Sequence, residues 1–497
     1  MLHRFLMDHA KERPTSFHMP GHKGSEFYKR FGYAAFLDNL ADLDITEIRG
    51  ADNLFDPKGP LSDLQERYAR LYGVKDARLL INGSSGGLIA AVLAAVPRGG
   101  KIIMARNSHK SIFNAITLGN ISPVYMRPKT LDCFDIDGEI PADEVERLLL
   151  LHKDASAVIL PSPNYYGICS DLARIAEMTH ACGKTLIVDQ AHGAHLQFFQ
   201  KYGVGPLPCS AEAANADISV NSTHKTLASF TQSAVLNLQS GRIPAFSLDE
   251  KLQSVQSSSP SYILMASLSI NAEIMEAHGE KLINDWAGSL RRFYDEARNI
   301  RGLRYVPPEL RGYDCSKINF KIDGLTGAAA EHALMDKYNI FNELTEGDLL
   351  MCLTGIGTKR EDIDNLLVAL DDMASRARRD VRHISLSRHA VQETFERGRQ
   401  SGPAPPTDEH TGADRSQTPR EDENVHWRAL ESAEGFTCAA AVTPYPPGVP
   451  LVCPGETVTG EIIHKIIEML ANGHKLTGLN GARECLVSGA RNGFSES

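Results

Sequence analysis

Between residues 75 and 240, five short apolar runs, ARLLING, KIIMARN, SAVILPSPN, TLIVDQAH and ADISVNSTHK, each end in a polar or glycine-containing turn. Helix-like segments separate them. That alternation leaves few choices beyond a largely parallel sheet packed between helices, so an α/β fold is predicted. In such sheets ligands gather beyond the carboxyl ends of the strands. Here those ends carry Ser84, His109, Asn164, Asp189 and Lys225. Taken singly, a Ser, Asn or Asp after a strand is most often a helix cap or turn former. Five polar endings on five strands point to one shared site.

The chain has 497 residues, 42% of them hydrophobic, which suits two or three domains rather than one. Residues 1–60 read as an N-terminal arm and 61–300 as the large domain, closing with a long helix or helix pair in SYILMASLSINAEIMEAHGEKLINDWAGSLRRFYDEARNI. Residues 301–396 alternate KINFKID, a helical stretch, LLMCLTG and an amphipathic helix, so a small α+β domain is expected. The span 397–424 is rich in Pro, Gly, Ser and charge without apolar periodicity, which predicts a flexible linker. Residues 425–480 return to structure as a C-terminal α+β domain, whose five prolines in VTPYPPGVPLVCPGE fix an extended path before a helix near Thr459. Residues 481–497 read as a loose tail.

Charge excludes some partners. With 52 basic and 62 acidic residues the net charge is −10, which argues against nucleic acid as the main partner. Nine scattered cysteines form no C-x-x-C pair and suggest a reducing compartment. The first 24 residues carry charges early and have no long apolar core, so neither a signal peptide nor a membrane anchor is expected, and the cytoplasm is the expected location.

The strand ends supply the chemistry. INGSSGGLIAAVLAAV places Ser84, Ser85 and Gly86 between a strand and an apolar helix, where backbone N–H groups and hydroxyls can meet a phosphate. Neither the G-x-x-x-x-G-K-[ST] loop nor the G-x-G-x-x-G fingerprint is present, so a single phosphate on a small cofactor fits better than a nucleotide. His109 could lay its imidazole on an aromatic ring, worth about a kcal/mol beyond area burial, or simply cap a helix. Asp189 ends a very apolar strand, where a carboxylate needs a cation such as a protonated ring nitrogen. Lys225 places an amine where a Schiff base with a carbonyl can form. Aldehyde, phosphate and pyridinium together indicate pyridoxal 5'-phosphate.

Eight motifs then follow one another in order: FHMPGHKG, DITEIRGADNLFDPKGPL, NGSSGG, RNSHKSI, PNYYG, VDQAHGAH, STHKTLASFTQ and PYPPGVPLVCPGE. Through them the chain resembles the Orn/Lys/Arg decarboxylase family of fold-type-I pyridoxal-phosphate enzymes. The resemblance implies a large domain with a mostly parallel seven-stranded sheet, a homodimer or higher oligomer, and a compact branch without the N-terminal receiver-like domain, since FHMPGHKG begins at residue 17. It implies that Lys225 binds the cofactor covalently, Asp189 pairs with the pyridine nitrogen, His109 stacks on the ring and His192 lies beside it. Ser84, Ser85 and Gly86 would hold the phosphate with Ser222 and His224, and Asn164 would contribute where relatives often have Thr. Many relatives read D-E-A-H-G where this chain has Asp189-Gln190-Ala191-His192-Gly193.

The implied reaction is decarboxylation of a basic amino acid, arginine first, then lysine or ornithine, in polyamine metabolism. Lys225 is the favoured group to return a proton to Cα, with His224 as the alternative. The resemblance points to Glu456 as the carboxylate for the cationic side chain, against a competing role beside the following helix, and Asp52 is a second candidate reaching a neighbouring subunit. His18, His22 and Lys23 are assigned to the subunit interface, and metal binding by the two histidines is not expected. An aminotransferase, oxidase or cyclase on the same cofactor is the alternative. An aminotransferase would clamp the α-carboxylate with an arginine, and Arg360 does not sit in that pattern. A non-catalytic binding protein should have lost Lys225 or Asp189, and both are present.

Overall fold

The computed structural model describes residues 1–391 and 425–488 except 206, 447 and 472. Seven strands build the large sheet: β1 (Asp76–Leu80), β2 (Lys101–Ala105), β3 (Ser122–Met126), β4 (Ala155–Pro161), β5 (Thr185–Asp189), β6 (Ile218–Asn221) and β7 (Ala234–Leu238). Their order is β1-β7-β6-β5-β4-β2-β3, with β7 antiparallel to both neighbours and the other contacts parallel. Five of these strands end the apolar runs seen in the sequence. None of the five runs marks β3, a half-exposed edge strand with Pro123 in it, or β7, which follows the Lys225 turn closely.

Every residue of β5, β6 and β7 is buried, because helices cover both faces and strands so placed need no polar side. Helices Gly83–Ala95, Lys110–Gly119 and Ala245–Val255 close one core around Leu88, Ile102, Ile187 and Val220. Helices Ala142–Leu151 and Leu172–Ala181 close the opposite face around Ile103, Val158, Leu186 and Val188. The stretch read as a helix or helix pair is one helix of 36 residues, Tyr262–Ala297.

The small domain is a four-stranded antiparallel sheet, ordered Leu303–Tyr305, Lys317–Ile322, Leu349–Leu353, Leu344–Glu346, with helices Gly327–Tyr338 and Arg360–Val391. The N-terminal arm joins it: Thr15–Phe17 pairs in parallel with Ile340–Asn342. Residues 17–24 then pass between this domain and the turn after β6. Gly21 N–H donates to His224 O at 2.8 Å, Gly357 N–H to Gly21 O at 2.9 Å and Ile356 N–H to Thr226 O at 2.9 Å. A Cβ on Gly21 would lie 2.4 Å from Leu227 O, so the close approach requires glycine there.

The C-terminal unit packs helix Gly460–Ala471 on a three-stranded sheet around Leu430, Val452, Val458, Ile466 and Val487. The expected tail needs correction. Its residues Glu484–Ser488 form the central strand of this sheet, between Val425–Ala429 and Thr437–Cys438. Five residues are too few for periodicity to reveal them; only pairing buries Cys485 and Val487. The expected linker 397–424 lies outside the described residues.

Candidate active site

Strand β6 ends at Asn221, and the chain turns through Ser222 into a single helical turn, Thr223–Thr226. Lys225 Nζ points back into the cleft and lies 2.8 Å from His192 Nε2. Burial lowers the amine from 10.5 to about 8, against the opposing pull of Asp189 and Glu343, so a sizeable neutral fraction exists near neutral pH. His224 sends Nδ1 to Ser233 O at 2.7 Å, and since a carbonyl can only accept, that nitrogen carries the proton. Burial, then Lys225, lowers His224 to about 4 and keeps it neutral.

Ser222 Oγ donates to Ser84 Oγ at 2.8 Å, which ties the lysine turn to the start of helix Gly83–Ala95. That start has no side-chain cap, because Asn82 donates its amide to Val255 O at 2.8 Å. The N–H groups of Ser84 and Ser85 therefore form an uncapped anion cradle at a 13-residue helix, whereas Gly86 N–H already donates to Asn82 O at 3.3 Å. Gly83, at φ 69°, makes the turn from β1 into that helix.

Asp189 ends β5. Its Oδ1 accepts from Ala191 N–H at 3.1 Å, and among the described residues no cation lies within ion-pair distance of it. Burial raises its pKa, partly offset by Lys225. A buried carboxylate so placed fits a protonated ring nitrogen. His192 Nδ1 is buried without a partner, and burial followed by the nearby lysines holds the ring neutral. His109 caps helix Lys110–Gly119: its Nδ1 accepts from Ser111 N–H at 3.2 Å and meets Ser111 Oγ at 2.9 Å. Burial lowers it to about 3. The C-terminal unit reaches it directly, for a Cβ on Gly448 would lie 3.0 Å from the His109 ring, and Lys110 N–H donates to Gly448 O at 2.9 Å. An uncapped helix start, a neutral-prone lysine and an unpaired buried acid together fit an aromatic aldehyde bearing a phosphate and a protonatable nitrogen.

Three predicted site residues have other work. Asn164 Oδ1 accepts from Tyr166 and Ile168 N–H, and its Nδ2 donates to Asp137 O and Gly138 O, so the amide is fully engaged in shaping the turn after β4. Asp52, at φ 74°, accepts from the N–H groups of Asn53, Lys58, Gly59 and Leu61 and thereby organises the entry to helix Pro60–Tyr72. Some burial opposes its ionisation, but those donors hold its carboxyl down to about 2. Glu456 meets Arg106 with both oxygens, at 2.8 Å to Nε and 2.7 Å to Nη2, and also accepts from Cys453 N–H at 2.8 Å. It is a latch between the C-terminal unit and the end of β2, already neutralised by its own chain. Lys23 acts within the chain too, donating to His18 O at 2.5 Å and Leu353 O at 3.0 Å, while His22 Nδ1 accepts from Gly24 N–H at 3.0 Å.

Three supporting groups escaped sequence reasoning. Lys317, fully buried, pairs with Asp314 at 2.5 Å and donates to His192 O at 2.8 Å, fixing the loop that carries His192. Buried Glu212 accepts from Gln190, Ser219, Asn221 and Asn237, joining the ends of β5 and β6 behind the site. Glu343 accepts from Met19 N–H at 2.9 Å and Tyr165 OH at 3.0 Å. Gln190 stood out in the sequence as a departure from relatives; the other groups left no local signal.

Comparison with known proteins accords with this arrangement. The family model described as "Orn/Lys/Arg decarboxylase, major domain" matches residues 1–311, and that described as "Orn/Lys/Arg decarboxylase, C-terminal domain" matches 408–480. The chain is 31% identical to an arginine decarboxylase of Bacillus subtilis, over 96% of this chain and 95% of the relative. It is also 31% identical to an arginine decarboxylase of Halalkalibacterium halodurans, over 91% and 90%. A solved lysine decarboxylase of Francisella novicida shares the fold with a TM-score of 0.73 at 19% identity, over 94% of this chain and 78% of that one. From its motifs, its sheet and these matches, the chain belongs to the Orn/Lys/Arg decarboxylase family.

Proposed function

We propose that the protein is a pyridoxal-phosphate-dependent carboxy-lyase acting on a basic amino acid, arginine to agmatine first, then lysine to cadaverine or ornithine to putrescine. The observation that carries this is the joint placement of Lys225, with its amine lowered to about 8, and the unpaired buried acid Asp189 at adjacent strand ends. The cofactor, when bound, supplies an electron sink for the pair left behind by carbon dioxide. Lys225 would hold it covalently through Nζ, Ser84, Ser85, Gly86 and Ser222 would bind its phosphate, and His109 would cover its ring. Asp189 would offer the cofactor's ring nitrogen a buried counter-charge and so favour its protonated form. His224, with Nδ1 held by Ser233 O, would join the serines in binding the phosphate through Nε2. Lys225 would be the group that returns a proton to the substrate Cα, with His224 as the alternative.

Arg360 is exposed at the start of helix Arg360–Val391, which supports no carboxylate clamp of the aminotransferase kind. A homodimer or larger assembly is part of the proposal, as are polyamine metabolism and a cytoplasmic location. The location is supported by nine cysteines that form no disulfide in the structure. Among the described residues no helix is long and apolar enough to cross a membrane.

The test is incubation of the purified protein with pyridoxal phosphate and arginine, lysine or ornithine in turn, with carbon dioxide trapped and the amine identified. Carbon dioxide and the matching amine in equal amounts are expected. Keto acid without carbon dioxide overturns the proposal in favour of transamination.

A further inference from the structure

A basic substrate needs a carboxylate for its cationic end, and the two acids expected to supply one are engaged: Asp52 by four backbone donors and Glu456 by Arg106. Glu343 stands differently. It lies between strands Ile340–Asn342 and Leu344–Glu346 of the small domain, where the N-terminal segment meets the cleft. Its two oxygens accept only neutral donors, Met19 N–H and Tyr165 OH. Among the described residues no Lys, Arg or His lies within ion-pair distance of it, so its charge is met only at longer range, by Lys225 and Lys23.

Its surroundings lead to the reacting lysine. The Tyr165 ring meets the His192 ring edge-on at 4.8 Å, and His192 Nε2 lies 2.8 Å from Lys225 Nζ. The charge on Glu343 is felt at both Lys225 and Lys23, while burial raises its own pKa. The residue as a whole is half-buried and borders the cleft, which leaves a route of approach for a ligand. Each carboxylate oxygen has a second lone pair, enough to accept a planar guanidinium in two-point contact or an ammonium as a point charge.

We propose that Glu343 is the specificity-determining carboxylate that receives the cationic side chain of the substrate, held for that task by Met19 N–H and Tyr165 OH. This rests on the decarboxylase reading given above. A substrate cation adds the close ion pair that the chain itself does not supply, whereas a neutral side chain of the same shape leaves the acid without one.

The test compares arginine with citrulline, its uncharged isostere, as substrates of the loaded enzyme and of Glu343→Gln, Glu343→Asp and Tyr165→Phe. The wild type is expected to favour arginine strongly in kcat/KM. Glu343→Gln should raise KM for arginine on the order of 10²-fold, with citrulline little changed, so that the preference collapses. Tyr165→Phe keeps the charge and should keep the preference. Glu343→Asp keeps the charge but draws it back, and should retain the preference with a raised KM, which also decides the matter if Glu343→Gln does not fold. An unchanged arginine-to-citrulline ratio in Glu343→Gln, or equal loss in Tyr165→Phe, overturns the role of Glu343 and leaves the decarboxylase reading standing. No carbon dioxide from any basic amino acid with the wild type overturns both.

Discussion

Lys225 owes its chemistry to its surroundings more than to its residue type. An exposed lysine is charged throughout the neutral range, but burial brings this one to about 8 although Asp189 and Glu343 pull the other way. The neutral amine is the nucleophile, so covalent uptake of pyridoxal phosphate by the stripped protein should accelerate as pH rises through about 8 and level off above it. Stopped-flow absorbance would show this, and a rate flat from pH 6 to 9.5 would contradict it. Linkage gives the same sign: between about 8 and 10.5 the unfolded amine keeps a proton that the folded one has lost, so stripped protein gains stability with pH across that window. At this scale Ser84, Asp189 and Lys225 were legible because each closes an apolar run. For Asp52 and Glu456 the partners within the chain were not legible, because a carboxylate in a sequence does not declare its partner. That of Glu456 is Arg106, 350 residues away.

Strand ends are held in register by groups behind the site. Gln190 donates its amide to Glu212 at 2.8 Å and to Asn221 Oδ1 at 2.9 Å, while its own oxygen accepts from Ala211 N–H at 2.6 Å. The end of β5, with Asp189, is thus tied to the end of β6, which leads to Lys225. A glutamate at 190 would set two buried carboxylates against each other. Gln190→Glu is therefore expected to destabilise the protein by about 3 kcal/mol, and adding Glu212→Gln should restore most of the loss by returning one amide to the pair. Denaturant unfolding of the two single variants and the double variant measures the coupling; additive losses would exclude it. The departure at Gln190 was visible in the sequence, but its reason was not, since Glu212 lies 22 residues further on and beyond a helix.

Three parts of the molecule meet at the cleft. The large domain supplies the strand ends, the small domain supplies Glu343, and the N-terminal segment threads between them with Gly21 against the lysine turn. The C-terminal unit is latched by Glu456 to Arg106, whose guanidinium also lies over the rings of Phe113 and Tyr125 at 5.6 and 5.8 Å. Glu456→Gln leaves Arg106 charged and poorly matched, so docking of that unit should weaken by about 2 kcal/mol. Amide hydrogen exchange is expected to quicken across residues 443–458 with the large sheet unchanged. Equal exchange in variant and wild type would show that the latch carries no docking energy. The KM for arginine should follow only through loosening of Gly448 from His109.

The sequence by itself determined the α/β class, the glycine turn into the helix after β1 and the lysine at the end of β6, because each is written in a short run of residues whose local physics is complete: an apolar strand, a glycine turn, an amine at its end. Tertiary structure alone decided which acids are free. A carboxylate pairs with a substrate cation most readily where no cation of the chain already pairs with it, and such a cation can come from far away in the sequence, as Arg106 does for Glu456. Only the folded chain shows Asp52 held by backbone N–H groups, Glu456 paired with Arg106, and Glu343 facing the neutral donors Met19 N–H and Tyr165 OH.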